Sequence, residues 1–229
     1  LMKDGNLMAA GDNALGQFGD GTTTDSTTFK QVASGVKAVS CGNAHTMTIR
    51  KDGTLWGTGL NTSGQLGDGT GTTQSSPVQI MTDVAAVSCG NTHTMIIRKD
   101  GTLWGTGLNT SGQLGDGTGT TQYSPVLIMT DVAAVSCGST HTMIIRKDWT
   151  LWATGENTSG QFGDGTTTGQ STPVQVMTGV FTVSCGTTHT MMLKADGKLN
   201  ATGDNTSGQL GDGTGTSQNS PVYILNVFF

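Results

Sequence analysis

The chain is 229 residues long, and 36 glycines with 41 threonines make up a third of it. Only 34% is hydrophobic and 12% charged, against roughly 25% charged in an average soluble domain, which excludes a coiled coil and a helix-rich enzyme. A net charge of −5 is the reverse of the basic footprint of nucleic-acid binders, so nucleic acid is not an expected partner, and no run of 18 apolar residues offers a membrane-inserting helix.

One 48-residue repeat orders the sequence. Cys41, Cys89, Cys137 and Cys185 step by 48, as do His45, His93, His141 and His189. Gly-Gln-(Leu/Phe)-Gly-Asp-Gly begins at Gly16, Gly64, Gly112, Gly160 and Gly208 with the same step. The chain opens at the turn Lys3-Asp4-Gly5 of an incomplete unit, 3–35, continues through units at about 36–83, 84–131, 132–179 and 180–224, and ends at 225–229, where Val227-Phe228-Phe229 would begin another strand. The N-terminus, Leu1-Met2-Lys3, reads as neither a signal peptide nor a natural start, so the chain is expected to begin inside a longer parent.

Each unit reads as four short strands, here A to D, illustrated by 84–131. Val84 to Cys89 is strand A, made of small residues. Thr94 to Arg98 is strand B, whose consecutive apolar positions imply burial on both faces. Lys99-Asp100-Gly101 is a hairpin turn, because Asp-Gly supplies positive φ. Leu103 to Gly107 is strand C, and after a long polar loop from Leu108 to Ser124, Pro125 to Ile128 is strand D, with its proline at the start where no ladder donor is needed. Four-stranded units of this length predict an all-β β-propeller of antiparallel blades, four complete and one partial, folded as a single domain or a fragment of one. The small residues of strand A suit the narrow inner end of such blades, and the unpaired edge of the partial blade invites a neighbour.

Cys-Gly-x-x-His-Thr, then Lys-Asp-Gly-Thr-Leu-Trp, then Asn-Thr-Ser-Gly-Gln-Leu-Gly-Asp-Gly resembles the repeats of the regulator of chromosome condensation family, over essentially the whole chain. The resemblance implies a propeller, usually of seven blades, that acts as a protein-interaction platform. Its nearest likeness, to bacterial-type members with Gly-Asp-Gly-Thr loops, implies a secreted or cell-surface setting. Two specialised activities of that family do not carry over. The unvarying step of 48 leaves no room for the inserted wedge of the exchange factor for a small GTPase, and Asn43-Ala44, Asn91-Thr92, Ser139-Thr140 and Thr187-Thr188 stand where the ultraviolet photoreceptor has tryptophan. Trp149 in place of a turn glycine and Asn200 in place of a strand tryptophan make the last units less regular.

No catalytic or cofactor site is expected. One Cys–His pair per unit does not bring three or four ligands to one metal ion, and the histidines are expected to bond backbone at the A–B turn beside buried thiols. No single Ser or Cys, His and acid are set apart from their repeats, as nucleophilic catalysis requires. Glycine-rich loops lack the Gly-Lys-Ser/Thr of a phosphate site, and the repeated aspartates are expected to bond turn backbone rather than calcium. Asn-Thr-Ser at Asn61, Asn109, Asn157 and Asn205, and Asn200-Ala201-Thr202, match the N-glycosylation pattern.

Alternation of the strands places the A–B turns with the long C–D loops at one end of the sheets and the Lys-Asp-Gly turns at the other. The long loops exceed what a hairpin needs, which suggests a contact face built from Asn61, Gln65, Asp68, Asn109, Gln113, Asp116, Asn157, Gln161, Asp164, Asn205, Gln209 and Asp212. A non-catalytic binding or scaffold role toward a protein or a repetitive surface polymer follows. A structural component that self-associates through the incomplete blade is the alternative, and an exchange factor for a small GTPase is the third.

Overall fold

The computed structural model describes residues 1–227; the strand expected at the C-terminus falls on Phe228 and Phe229, outside the described residues. β1 (Leu7–Gly11) and β2 (Ser26–Ala33) form a two-stranded sheet. Four sheets of four strands follow: β3 (Val36–Cys41), β4 (His45–Arg50), β5 (Leu55–Gly59) and β6 (Gln74–Met81); β7 (Val84–Cys89), β8 (His93–Arg98), β9 (Leu103–Gly107) and β10 (Gln122–Met129). The remaining two are β11 (Val132–Cys137), β12 (His141–Arg146), β13 (Thr150–Gly155) and β14 (Gln170–Thr178), then β15 (Val180–Cys185), β16 (His189–Lys194), β17 (Lys198–Gly203) and β18 (Gln218–Asn226). Strands pair in chain order as antiparallel meanders, matching the A-to-D reading.

Strand D is longer than the sequence suggests, starting three residues before its proline. A bulge explains the tolerance: between the pairs Ala153↔Val174 and Gly155↔Gln170 the ladder slips, and Pro173 lies in that slip on an edge strand. Strand B is buried on both faces in β8 and β12, all but their last residues being inaccessible, whereas β4 and β16 alternate between buried and half-buried positions.

The chain groups into two compact units, Leu1–Leu108 with Thr121–Leu127, and Asn109–Thr120 with the residues from Ile128 onward. The first has a core of Met47, Ile49, Leu55, Leu66, Val84 and Ile96, and the second one of Met143, Ile145, Leu151, Ala153, Phe162, Val180 and Met192. Leu66 and Phe162 belong to long loops, not strands, yet both are fully buried. Burying one such side chain contributes roughly 1.5–3 kcal/mol, enough to pin the loop that carries it.

Within each unit the two ends of the sheets divide as predicted. Val84 N donates to Gly53 O (2.9 Å) and Lys99 N to Asp83 O (2.8 Å), joining hairpin turns to the D–A connections. Leu60 N donates to Ala44 O (2.8 Å) and Glu156 N to Thr140 O (2.9 Å), joining long loops to the A–B turns.

Candidate functional site

Each long loop is tied internally by one asparagine. Asn109 Oδ1 accepts from Leu114 N (2.9 Å), while its Nδ2 donates to Asp116 Oδ1 (2.8 Å) and Thr118 O (3.1 Å). Thr118 closes the knot by donating its amide and hydroxyl to Asp116 Oδ1 (2.9 and 2.8 Å). Asn61, Asn157 and Asn205 repeat this pattern. Desolvation pushes the Asp68 carboxyl up, but hydrogen bonds from Thr70, Asn61 and Gln74 outweigh it and hold it below the ordinary carboxylate value.

The loop is also strapped across the following sheet. In the first unit Thr94 Oγ1 donates to Gln65 O (2.7 Å), Thr106 Oγ1 to Gly64 O (2.8 Å), and Gly69 N to Tyr123 O (2.9 Å). In the second, Thr142 and Thr154 hydroxyls donate to Gln113 O (2.7 Å) and Gly112 O (2.8 Å), and Gly117 N to Ser171 O (2.9 Å). The same three bonds join the 157–169 loop to Thr190, Thr202 and Asn219. Strand threonines therefore hold down loop carbonyls, and the extra loop length is used to reach the next sheet.

This geometry corrects the expected contact face. Asn61, Asn109, Asn157, Asn205, Gln65, Gln113 and Gln161 are 0% exposed; they bond loop backbone, as Gln113 Oε1 does with Ser111 N (3.0 Å), and cannot touch a partner. Gln209 is half-buried and donates to Asp204 (2.7 Å); Asp68, Asp116, Asp164 and Asp212 are half-buried within their knots. The same burial closes the four Asn-Thr-Ser sites to glycosylation in the folded chain, because each acceptor nitrogen is already committed to an aspartate. The longest exposed stretches of the loops are their tips, 69–72, 117–120, 165–169 and 213–217, composed of Gly, Thr and Ser.

The histidines also differ from expectation. The Thr94 hydroxyl spends its proton on Gln65 O, so it accepts from His45 Nε2–H (3.0 Å), a strand-B side chain of the next sheet and not backbone of the A–B turn. His141 does the same with Thr190 (3.2 Å). Burial lowers both rings to about 4, with the nearby charge of His189 adding to the effect on His141. Among the thiols, Cys41 is exposed and the other three half-buried. Cys89 and Cys185 donate to Ser40 O (3.4 Å) and Ser136 O (3.3 Å), and burial pushes both thiols up to about 12, so neither is a nucleophile.

A groove of about 400 Å³ lies beside β1, lined by Leu7, Met8, Phe18, Val32, Val39 and His45 among others. Phe18 is half-buried there, whereas Leu66, Leu114 and Phe162, its counterparts in later repeats, are 0% exposed.

Among known proteins, residues 1–228 match the family described as the RCC1-like domain. No curated sequence matches the chain. Human WBSCR16 is similar in structure, with a TM-score of 0.85 at 23% identity over 98% of this chain and 63% of that one. Prp20p of Saccharomyces cerevisiae, described with its binding properties to Gsp1p and histones, gives 0.87 at 19% over 99% and 60%. Yeast RCC1 (Prp20) bound by Kap60 gives 0.86 at 19% over 99% and 58%. The chain thus spans about three fifths of the length of these structures, and at such identities the likeness establishes the fold. With its four complete four-stranded blades and a partial one, the chain belongs to the RCC1-like domain family.

Proposed function

We propose that the chain is a non-catalytic protein-interaction module whose contact elements are the exposed loop tips. The observation that carries this reading is the knot at the base of each tip: a buried Asn bonds a half-buried Asp, which in turn holds the tip's first Thr, so that a short Gly-Thr ridge is tied by the same bonds repeat after repeat. A preordered tip loses little conformational entropy on binding, and several equivalent tips favour a partner with repeated polar contacts through effective concentration. The protein partners named for the Prp20 structures agree with a protein ligand. Because both flanks of each tip are anchored, Thr72→Arg with Thr120→Arg adds charge at exposed positions without touching the core. Proteins captured on the immobilised chain are expected to be lost from the variant, with its thermal midpoint unchanged; capture unaffected by both substitutions contradicts the reading.

The groove beside β1 favours a second reading, self-association. β1 pairs only with β2 among the described residues, and apolar side chains line the open side. Sedimentation should then show a concentration-dependent dimer that Met8→Asp abolishes; a monomer at every concentration overturns it.

A further inference from the structure

We propose that Trp149 and Phe181 form an anchoring platform for a protein partner that presents an apolar side chain flanked by carboxylates. This site lies at the hairpin-turn end of the strands, away from the loop tips, and so stands apart from the reading above.

Two separate departures from the repeat meet here. The B–C turns carry Gly53, Gly101 and Gly197 at φ of 87°, 87° and 85°, but the third full repeat carries Trp149 at φ 65°, a conformation that a bulky side chain adopts only against steric resistance. Phe181 occupies the strand-A position held by Lys37, Ala85 and Ala133 elsewhere. The two rings stack at 5.9 Å between centroids and 19° between planes, yet remain 49% and 50% exposed. A strained tryptophan stacked on a phenylalanine, half in water, gains little for the core. It does make a rigid apolar surface of the kind that dominates binding hot spots.

Charge selects the partner. Arg146 is engaged by Asp131 (3.5 Å) and Asp148 (3.7 Å), and Lys198 by Asp196 (2.9 Å). Lys147, in the same turn as Trp149, has no ion pair among the described residues, and Lys194, across the ladder from Val180 beside Phe181, shares Asp196 with Lys198. In a chain of net charge −5, the four cations Arg146, Lys147, Lys194 and Lys198 outnumber the three carboxylates Asp131, Asp148 and Asp196 in these turns and strand ends, and this local positive excess beside an aromatic pair favours carboxylates around the inserted group. A neutral sugar would stack on the rings but would make no use of the lysines.

Trp149→Gly restores the residue found at the other four turns, Gly5, Gly53, Gly101 and Gly197, so the variant is expected to fold with a thermal midpoint at or near that of the parent. Calorimetric titration uses three probes: the peptide Glu-Asp-Leu-Phe-Asp-Glu, its counterpart with lysine at the four acidic positions, and chitohexaose. The acidic peptide should bind, weakened about tenfold or more by Trp149→Gly and by Phe181→Ala, and the double variant Lys147→Glu with Lys194→Glu should prefer the basic peptide. No saturable binding of the acidic peptide, binding retained in Trp149→Gly, or tighter binding of chitohexaose or of the basic peptide by the parent chain overturns the proposal. So does a collapse of the midpoint in Trp149→Gly, which would make the ring a structural element.

Discussion

Between pH 6.5 and pH 4.5 the protein is expected to lose stability steadily, before its carboxylates begin to titrate. His45 and His141 are buried as neutral rings, each donating Nε2–H to a threonine hydroxyl and leaving Nδ1 without a partner. Their folded values near 4 lie below the ordinary histidine value of about 6.5 in an unfolded chain. The unfolded state therefore takes up protons first as the pH falls, and the stability present above pH 6.5 drains away until the folded rings themselves protonate. Each histidine is worth on the order of 1.4 kcal/mol per pH unit across that window, or about 3 kcal/mol in all. Asp52, Asp68 and Asp212 are held below the usual carboxylate range, so their contribution is lost only at lower pH. Urea midpoints measured from pH 7.5 to 4.5 should fall throughout, and His141→Gln should flatten part of the slope while lowering the plateau. A midpoint independent of pH over that range would show that the rings are hydrated or already paired.

The architecture was legible because it rests on local chemistry repeated five times. Asp-Gly turns, the small residues of strand A and the doubly buried strand B each point to one structure, and the period of 48 fixes their order. The burial of the loop asparagines and of Gln65, Gln113 and Gln161 departs from the sequence expectation for a physical reason. A loop of Asn, Thr, Ser, Gln and Gly reads as solvated when only composition and length are considered, and nothing in one dimension says where its carbonyls land. One signal did exist: Leu66, Leu114, Phe162 and Leu210 are apolar residues inside polar loops, and burying them draws Asn and Gln inward to satisfy the backbone around them. Trp149 stood out in the sequence as an irregular turn, but its meeting with Phe181, 32 positions later, depends on the register of two sheets. The histidine bond to the next strand B was likewise invisible, since it links residues 49 apart, one more than the repeat.

The account depends most on the long loops acting as straps and not as free binding segments, and two glycines with the same backbone test this directly. Gly112 and Gly208 both sit at φ 76°. A Cβ on Gly112 would stand 2.6 Å from Ser171 Cα and 3.0 Å from Gln170 O, whereas one on Gly208 meets nothing within 4 Å among the described residues. Each alanine bears the left-handed penalty of about 1 kcal/mol. Only Gly112→Ala must also lift the strap off β14, straining the Thr154 and Ser171 bonds, for a total of about 3–5 kcal/mol. Denaturant unfolding of the two variants is the measurement: the strap predicts that Gly112→Ala is at least about 2 kcal/mol less stable than Gly208→Ala, and equal losses at both positions would contradict it.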